Sequence, residues 1–238
     1  MKKVFILILF IILIASPFYW YYFGPAGGSK EIEIFIIPKN LNGFNLVQKL
    51  EEGEFIKKNK VLEYYVNTFV FFNEIKPGGY KLSHNMWALD VFNKINGKPD
   101  LVWVSYSSCL RKEQVGEIFT EALSWSNKEL EKWNTTYTNT SPEYFEGVYY
   151  PDTYLIPVDE NGEQVAQRLI NRFNEKFAPL ADKYVEANIR WVTGLKIASL
   201  IAREAAGKSD MKLISGIIWN RLDKGMALQI DATMQYTL

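Results

Sequence analysis

The sequence predicts an α+β protein: an N-terminal membrane helix, then small strand–helix–helix modules, then a mostly helical domain. Three observations predict it. An uncharged apolar run extends from Val4 to Phe23 behind Lys2 and Lys3. Strand-like alternation begins at Glu31 and strand-like sequence returns at Leu101, each time followed by two stretches of helical spacing. From Glu163 onward the apolar positions recur every three or four residues, as on a helix with one buried side. The boundaries that follow are residues 1–23 for the cytoplasmic tip and anchor, 24–30 for a linker, 31–134 for the tandem modules and 135–238 for the last domain.

Each element has its own cause. About 20 apolar residues cross a bilayer as a helix, whereas a secretory signal core needs only about 7–15. The run to Phe23 therefore suits an anchor broken only by Ser16 and Pro17, with Trp20, Tyr21 and Tyr22 as an aromatic belt at the far interface. The two leading lysines place the N-terminus in the cytoplasm and the bulk of the chain outside it, on a single-pass plasma-membrane protein. Gly24–Lys30 is a Pro/Gly/Ser linker. Ile32, Ile34 and Ile36 alternate with Glu31, Glu33 and Phe35, and Pro38 ends that strand. Asn45 caps a helix over Leu46–Glu52 closed by Gly53, and Asn59 caps a second running towards Asn67. Gly79–Leu82 reads as a return strand and Met86–Ile95 as a helix stopped by Gly97. Leu101–Tyr106, Arg111–Leu123 and a helix capped by Ser126 and reaching Trp133 repeat the plan. A polar, turn-rich stretch from Thr135 to Pro142 forms the boundary. Pro151 and Pro157 argue against helix in the aromatic, acidic segment beyond it. Helices are predicted over Glu163–Phe177, Leu195–Ala206 and Met211–Asp223, with an extended stretch from Leu228.

Composition narrows the chemistry. The formal charge is +0 with no long basic run, which disfavours a nucleic-acid partner, since phosphate binding needs clustered Lys and Arg. Cys109 is the lone cysteine, so an intrachain disulfide and a cysteine metal cluster are ruled out. The lone His84 sits in a polar stretch and makes a histidine zinc site or a Ser-His-Asp triad improbable. No metal and no cofactor are expected. Carboxylates remain.

One carboxylate falls on an unexpected side. On the helix Leu195–Ala206 the apolar stripe Ile197, Leu200, Ile201 continues to Glu204, while Lys196, Ser199 and Arg203 form the polar side. Glu204 is thus expected to face the core or a cleft. Burial there would favour its protonated form, which is what an acid aimed at a glycosidic oxygen requires. A structural pairing with Arg221, or a side chain free near Gly207, are the alternatives.

Three stretches carry a resemblance. They are Glu146-Gly147 with Tyr150-Pro151-Asp152-Thr153-Tyr154; Ala198-Ser199-Leu200-Ile201-Ala202-Arg203-Glu204-Ala205; and Asn220-Arg221-Leu222, Gly225-Met226, Leu228-Gln229, Asp231, Thr233 and Tyr236. In this order and spacing they resemble the catalytic domain of the YceG-like family of endolytic murein transglycosylases. The resemblance implies a lytic-transglycosylase-type fold behind LysM-like modules. It also implies cleavage between N-acetylmuramic acid and N-acetylglucosamine within nascent glycan strands, which ends strand elongation and leaves anhydro ends. Glu204 matches the catalytic glutamate. Glu146, Tyr150, Asp152, Tyr154, Asn220, Gln229, Asp231 and Tyr236 are candidates for binding the peptidoglycan strand, and cell-wall synthases are the partners that family analogy implies.

Residue by residue, other roles stay open. Tyr150 and Tyr154 can stack on sugar rings or pack a core, Asp231 and Thr233 can cap a helix, and Gly225 reads as a helix stop. Two departures bear on the expectation. Pro38-Lys39-Asn40 stands where the family shows Pro-Glu-Gly, and family members continue through a YNTY and a Gly-Leu-Pro-Pro segment that Leu238 precedes. The catalytic domain is therefore expected to be partial. The alternatives are a lysozyme-like hydrolase, with Asp152 or Asp231 positioning a water, and an anchored peptidoglycan-binding scaffold with weak or no activity. On the boundaries above, residues 31–134 are expected to be dispensable for cleavage.

Overall fold

The computed structural model describes residues 2–41, 45–69, 75–139 and 147–231. The chain forms two compact units, residues 1–103 with 154–158 and residues 104–153 with 159–238.

The first unit begins with α1 (Lys2–Phe23). Side chains are described in it at Phe10 and from Leu13 onward, and among the described residues no helix is long and apolar enough to cross a membrane. The end of α1 is satisfied from outside. Lys57 donates to the carbonyls of Trp20 and Tyr21 at 3.2 and 3.3 Å, and Asn59 to that of Tyr22 at 3.1 Å, groups that a helix end leaves unpaired. Lys57 also lies over the Trp20 ring, and Tyr19 stacks on Trp87.

The strand β1 (Glu33–Ile37), α2 (Leu46–Glu52), α3 (Lys60–Phe69) and β2 (Gly78–Leu82) follow in a β-α-α-β order, with β1 and β2 antiparallel and Phe35 opposite Tyr80. The caps expected at Asn45 and Asn59 form, through bonds to the backbone of Gln48 and Leu62. The face that β1 buries is Phe35 and Ile37, while Ile34 and Ile36 are each 49% exposed. Next come α4 (Ala88–Asn96) and β3 (Leu101–Ser105), the latter antiparallel to β2. A fourth strand, β4 (Thr153–Pro157), is an element the sequence reading lacks. It flanks β3 in the order β1-β2-β3-β4. Backbone bonds from Val158 to Asp100 (2.9 Å) and from Tyr106 to Asp152 (3.4 Å), one at each end, make it antiparallel. Ile37, Leu50, Leu62, Val66, Tyr80 and Leu82 are fully buried in this unit's core.

The second unit contains α5 (Lys112–Leu123), α6 (Asn127–Lys132), a π-helical turn over Trp133–Tyr137, α7 (Gly162–Phe177), α8 (Ala181–Glu186), α9 (Trp191–Glu204) and α10 (Met211–Asp223). Its core is built on aromatic rings. Phe119 and Trp133 are fully buried, with Trp125 and Tyr149 against Trp133 at ring separations of 5.8 and 5.4 Å. The buried Trp133 indole finds a partner, donating to the Lys112 carbonyl at 2.8 Å. Asn161 and Gln164 form a reciprocal capping box at the start of α7, and Glu129 of α6 accepts from the Gly162 amide at 2.9 Å.

This division differs from the boundary at 134/135. The helices α5 and α6, assigned by sequence to a second module, pack with the later helices through Glu129, Trp125 and Trp133. The repeat itself is visible in the order of elements, since β3, α5, α6 and β4 also run β-α-α-β.

Candidate active site

The last residue of α9 is Glu204. Gly194 and Ile197 of its stripe are buried, Leu200 and Ile201 half-buried, and Glu204 exposed. The stripe is real, but its burial fades towards the helix end, and the expected burial of Glu204 is corrected to exposure. No hydrogen bond or ion pair engages its carboxylate among the described residues, and Arg221 is not its partner. Arg203 is also exposed, as expected. Three residues before Glu204, Ile201 lines an open cleft of about 470 Å³ between α9 and α10, with Ala198, Ala202, Met211, Lys212 and Ser215.

The third motif folds around the end of α10. Gly225 has φ +64°, and the bonds Gly225 N–H to Leu222 O (3.0 Å) and Met226 N–H to Arg221 O (2.8 Å) close the helix in a Schellman turn. Arg221 then donates to the carbonyls of Ala227 and Leu228 and to Oε1 of Gln229 (3.3 Å), folding the following segment back on the helix. Gln229 adopts φ +52°, exposed like Asn220 and Asp231. Arg221 is thus a brace for the segment that follows α10.

The first motif is held at several points. Gly147 has φ +85°, and a side chain there would come within 3.0 Å of Leu195 on α9, so this residue ties the loop to the helix that carries Glu204. Tyr106 donates through its hydroxyl to the Tyr150 carbonyl at 2.8 Å. Asp152 accepts from the Thr153 amide at 2.8 Å and from Arg172 at 2.8 Å, and those two bonds, in that order of weight, hold its carboxyl below the usual carboxylate range. Arg172 also grips Glu175, so Asp152 belongs to a surface ion cluster, a poor setting for a water-activating base. Tyr154 is 8% exposed, so of the two roles left open for it the structure fits packing rather than a sugar platform. Glu146, Thr233 and Tyr236 lie outside the described residues. Arg172, Tyr106 and Leu195 have no site role in the sequence reading because a supporting partner has no motif of its own. The i,i+3 spacing of Arg172 and Glu175 is the only signal, and it marks countless solvated helix faces. Among the described residues no cluster of His, Cys, Asp or Glu could hold a metal ion.

Residues 35–238 match the YceG-like family. The chain belongs to that family. An endolytic murein transglycosylase of Streptococcus pneumoniae (strain D39) is 22% identical over 240 residues, covering 87% of this chain and 43% of that protein. One of Bacillus subtilis (strain 168) is 23% identical over 230 residues, covering 87% of this chain and 64% of that one. The chain thus spans about half the length of these YceG-like relatives. A crystal structure of a yceG-like protein from Listeria monocytogenes shares the fold, with a TM-score of 0.54 at 22% identity over 88% of this chain and 76% of that one.

Proposed function

We propose that this chain is an endolytic peptidoglycan lytic transglycosylase in which Glu204 is the catalytic acid and base. The observation that carries the reading is the match over residues 35–238, within which the Ala198–Ala205 motif presents at Glu204 an exposed carboxylate, unpaired among the described residues, near a cleft. In the first step the Glu204 carboxyl gives its proton to the oxygen bridging N-acetylmuramic acid to N-acetylglucosamine, and the bond from C1 to that oxygen breaks. The resulting carboxylate then takes the proton of the muramic 6-hydroxyl as O6 bonds to C1. The anhydro ring closes, no water is consumed, and Glu204 is again protonated. A strand laid across α9 would itself exclude the water that now surrounds this residue. Asp152, already engaged by Arg172, is left to hold the loop around Tyr150. On the same reading Asn220, Gln229 and Asp231 meet the strand, and Glu146 and Tyr236 complete the set.

The remaining parts follow as proposals. The apolar residues 4–23 anchor the chain in the plasma membrane, and the β-α-α-β units act as LysM-like glycan binders, with synthases as neighbours. Retention in the membrane fraction at high salt checks the anchor.

The test of the chemistry is Glu204→Gln, with isolated glycan strands as substrate and mass spectrometry of the ends as readout. Loss of general acid–base catalysis should cut anhydro-end formation by about 100- to 10,000-fold. Stability should stay within about 0.5 kcal/mol, because an exposed side chain with no partner among the described residues supports no packing. Arg203→Gln should change neither. Reducing ends in place of anhydro ends would make the enzyme a hydrolase, and no cleavage by the parent chain would leave the scaffold reading.

A further inference from the structure

The overall charge of +0 conceals a segregation. Between Arg190 and Lys224 the chain holds seven Lys or Arg against three Asp or Glu, so the stretch that carries Glu204 is cationic and the remainder acidic. Most of these cations point elsewhere. Lys196 and Arg203 lie on the side of α9 away from Ala198, Ile201 and Ala202, and Arg221 is spent on carbonyls. Lys212 is different. It is the one ionisable residue lining the α9–α10 cleft, it is exposed, and no ion pair engages it among the described residues. The other lining groups are Ala198, Ile201, Ala202, Met211 and Ser215, so the cleft offers an apolar wall, one hydroxyl and one cation. Its volume of about 470 Å³ falls in the range of small-ligand sites.

We infer that this cleft binds the short acidic peptide borne by the muramic residue of the strand, with Lys212 reading a peptide carboxylate. The inference rests on the proposed cleavage at Glu204 and names the feature of the substrate that the site selects. A stripped glycan offers hydroxyls, N-acetyl methyls and a single lactyl carboxylate held close to each muramic ring. A stem peptide adds apolar side chains and several further carboxylates, reaching out on the flexible ether of the same muramic residue whose C1 bond is broken. Ile201 in the cleft wall is one helical turn from Glu204, so an occupant there lies alongside the bond to be cleaved. Charge complementarity therefore selects a peptide-bearing strand over a stripped one.

The full chain should be compared on peptide-bearing strands and on the same strands stripped of peptide by an amidase. Binding of a soluble muramyl peptide, measured by calorimetry, gives a readout independent of turnover. Wild type should prefer the peptide-bearing strand. Lys212→Gln should raise KM on it by about tenfold, the scale of one charge-assisted bond, and weaken muramyl-peptide binding alike, while turnover of stripped strands is unchanged. Lys212→Arg should retain the preference, and Arg203→Gln, on the far side of α9, should not disturb it. Equal losses on both substrates, or cleavage of both strands without preference and without an effect of Lys212→Gln, overturn the inference and leave the transglycosylase reading intact. Binding that depends on Lys212 in a chain that makes no anhydro ends supports the peptide site and removes the reading built on Glu204.

Discussion

Both ring nitrogens of His84 face acceptors: Nδ1 lies 3.0 Å from the Glu54 carbonyl and Nε2 2.9 Å from the Glu33 carboxylate. Only the doubly protonated ring donates to both. The Glu54 carbonyl first, and the Glu33 side chain second, push the imidazole up from its ordinary value. A raised folded value contributes stability that is complete below about pH 6.5, the unfolded value, and is lost as the pH rises through the folded one. The same residue accepts from the Gly27 amide through its carbonyl, so the linker after α1 is fastened at this point. The urea midpoint of the wild type should therefore fall as pH rises from 6 to 8, and His84→Gln should flatten that slope. An unchanged slope in the variant would assign it to other groups. In sequence His84 is only a lone histidine in a polar stretch, because contacts made across 51 and 30 positions leave no local trace. Glu204 is the opposite case. Helical periodicity identifies its side of α9, yet periodicity says nothing of what covers that side near the helix end, and there the expected burial fails.

At the scale of elements, those with a local cause were legible. The Asn45 and Asn59 caps, the Gly53 and Gly97 stops and the α10 helix with its Gly225 turn stand where residue chemistry puts them. The strand β4 was not legible, because Pro157 reads as a breaker. In the structure it is the final residue of a strand at the sheet's edge, a place where the missing N–H costs nothing. Tyr154 and Ile156 carry the alternation, but five residues between two prolines are too few to display it. The contact of α5 with the π-helical turn depends on a glycine that sequence gave no reason to notice. A Cβ at Gly116 would come within 2.5 Å of Trp133 Cδ1 and 2.7 Å of its Nε1, and Trp133 is fully buried with its indole bonded to Lys112. Gly116→Ala gains helix propensity, worth at most about 1 kcal/mol. Overpacking of a close-fitted core costs about 1–3 kcal/mol and should win. Thermal unfolding should show a lower midpoint, accompanied by a changed Trp133 fluorescence; a higher midpoint would mean that the ring has room to shift.

At the scale of the whole chain, the order of elements and the grouping of elements answer to different physics. Order is set by local sequence, and two β-α-α-β runs are readable in it. Grouping is set by which faces bury each other, and it cuts across the second run, leaving α5 and α6 in the unit that also holds α9 and Glu204. This decides what a shortened chain can do. A chain beginning at residue 140 retains α7 to α10 but loses Phe119 and Trp133, the two fully buried aromatic rings of that unit's core. It loses the Glu129 carboxylate that accepts from the Gly162 amide at the start of α7, and it loses Trp125, whose indole donates to the Glu160 carbonyl at 3.0 Å. Each buried aromatic alone contributes about 3–5 kcal/mol against truncation to alanine, and a domain's total stability is about 5–15 kcal/mol. Removing both therefore consumes most or all of what holds the unit together. The shortened chain should show no cooperative urea transition and no cleavage of glycan, although it keeps Glu204 and the α9–α10 segment. A chain beginning at Val104 keeps those partners and should fare better. A chain from residue 140 that unfolds cooperatively and still forms anhydro ends would return the domain boundary to 134/135.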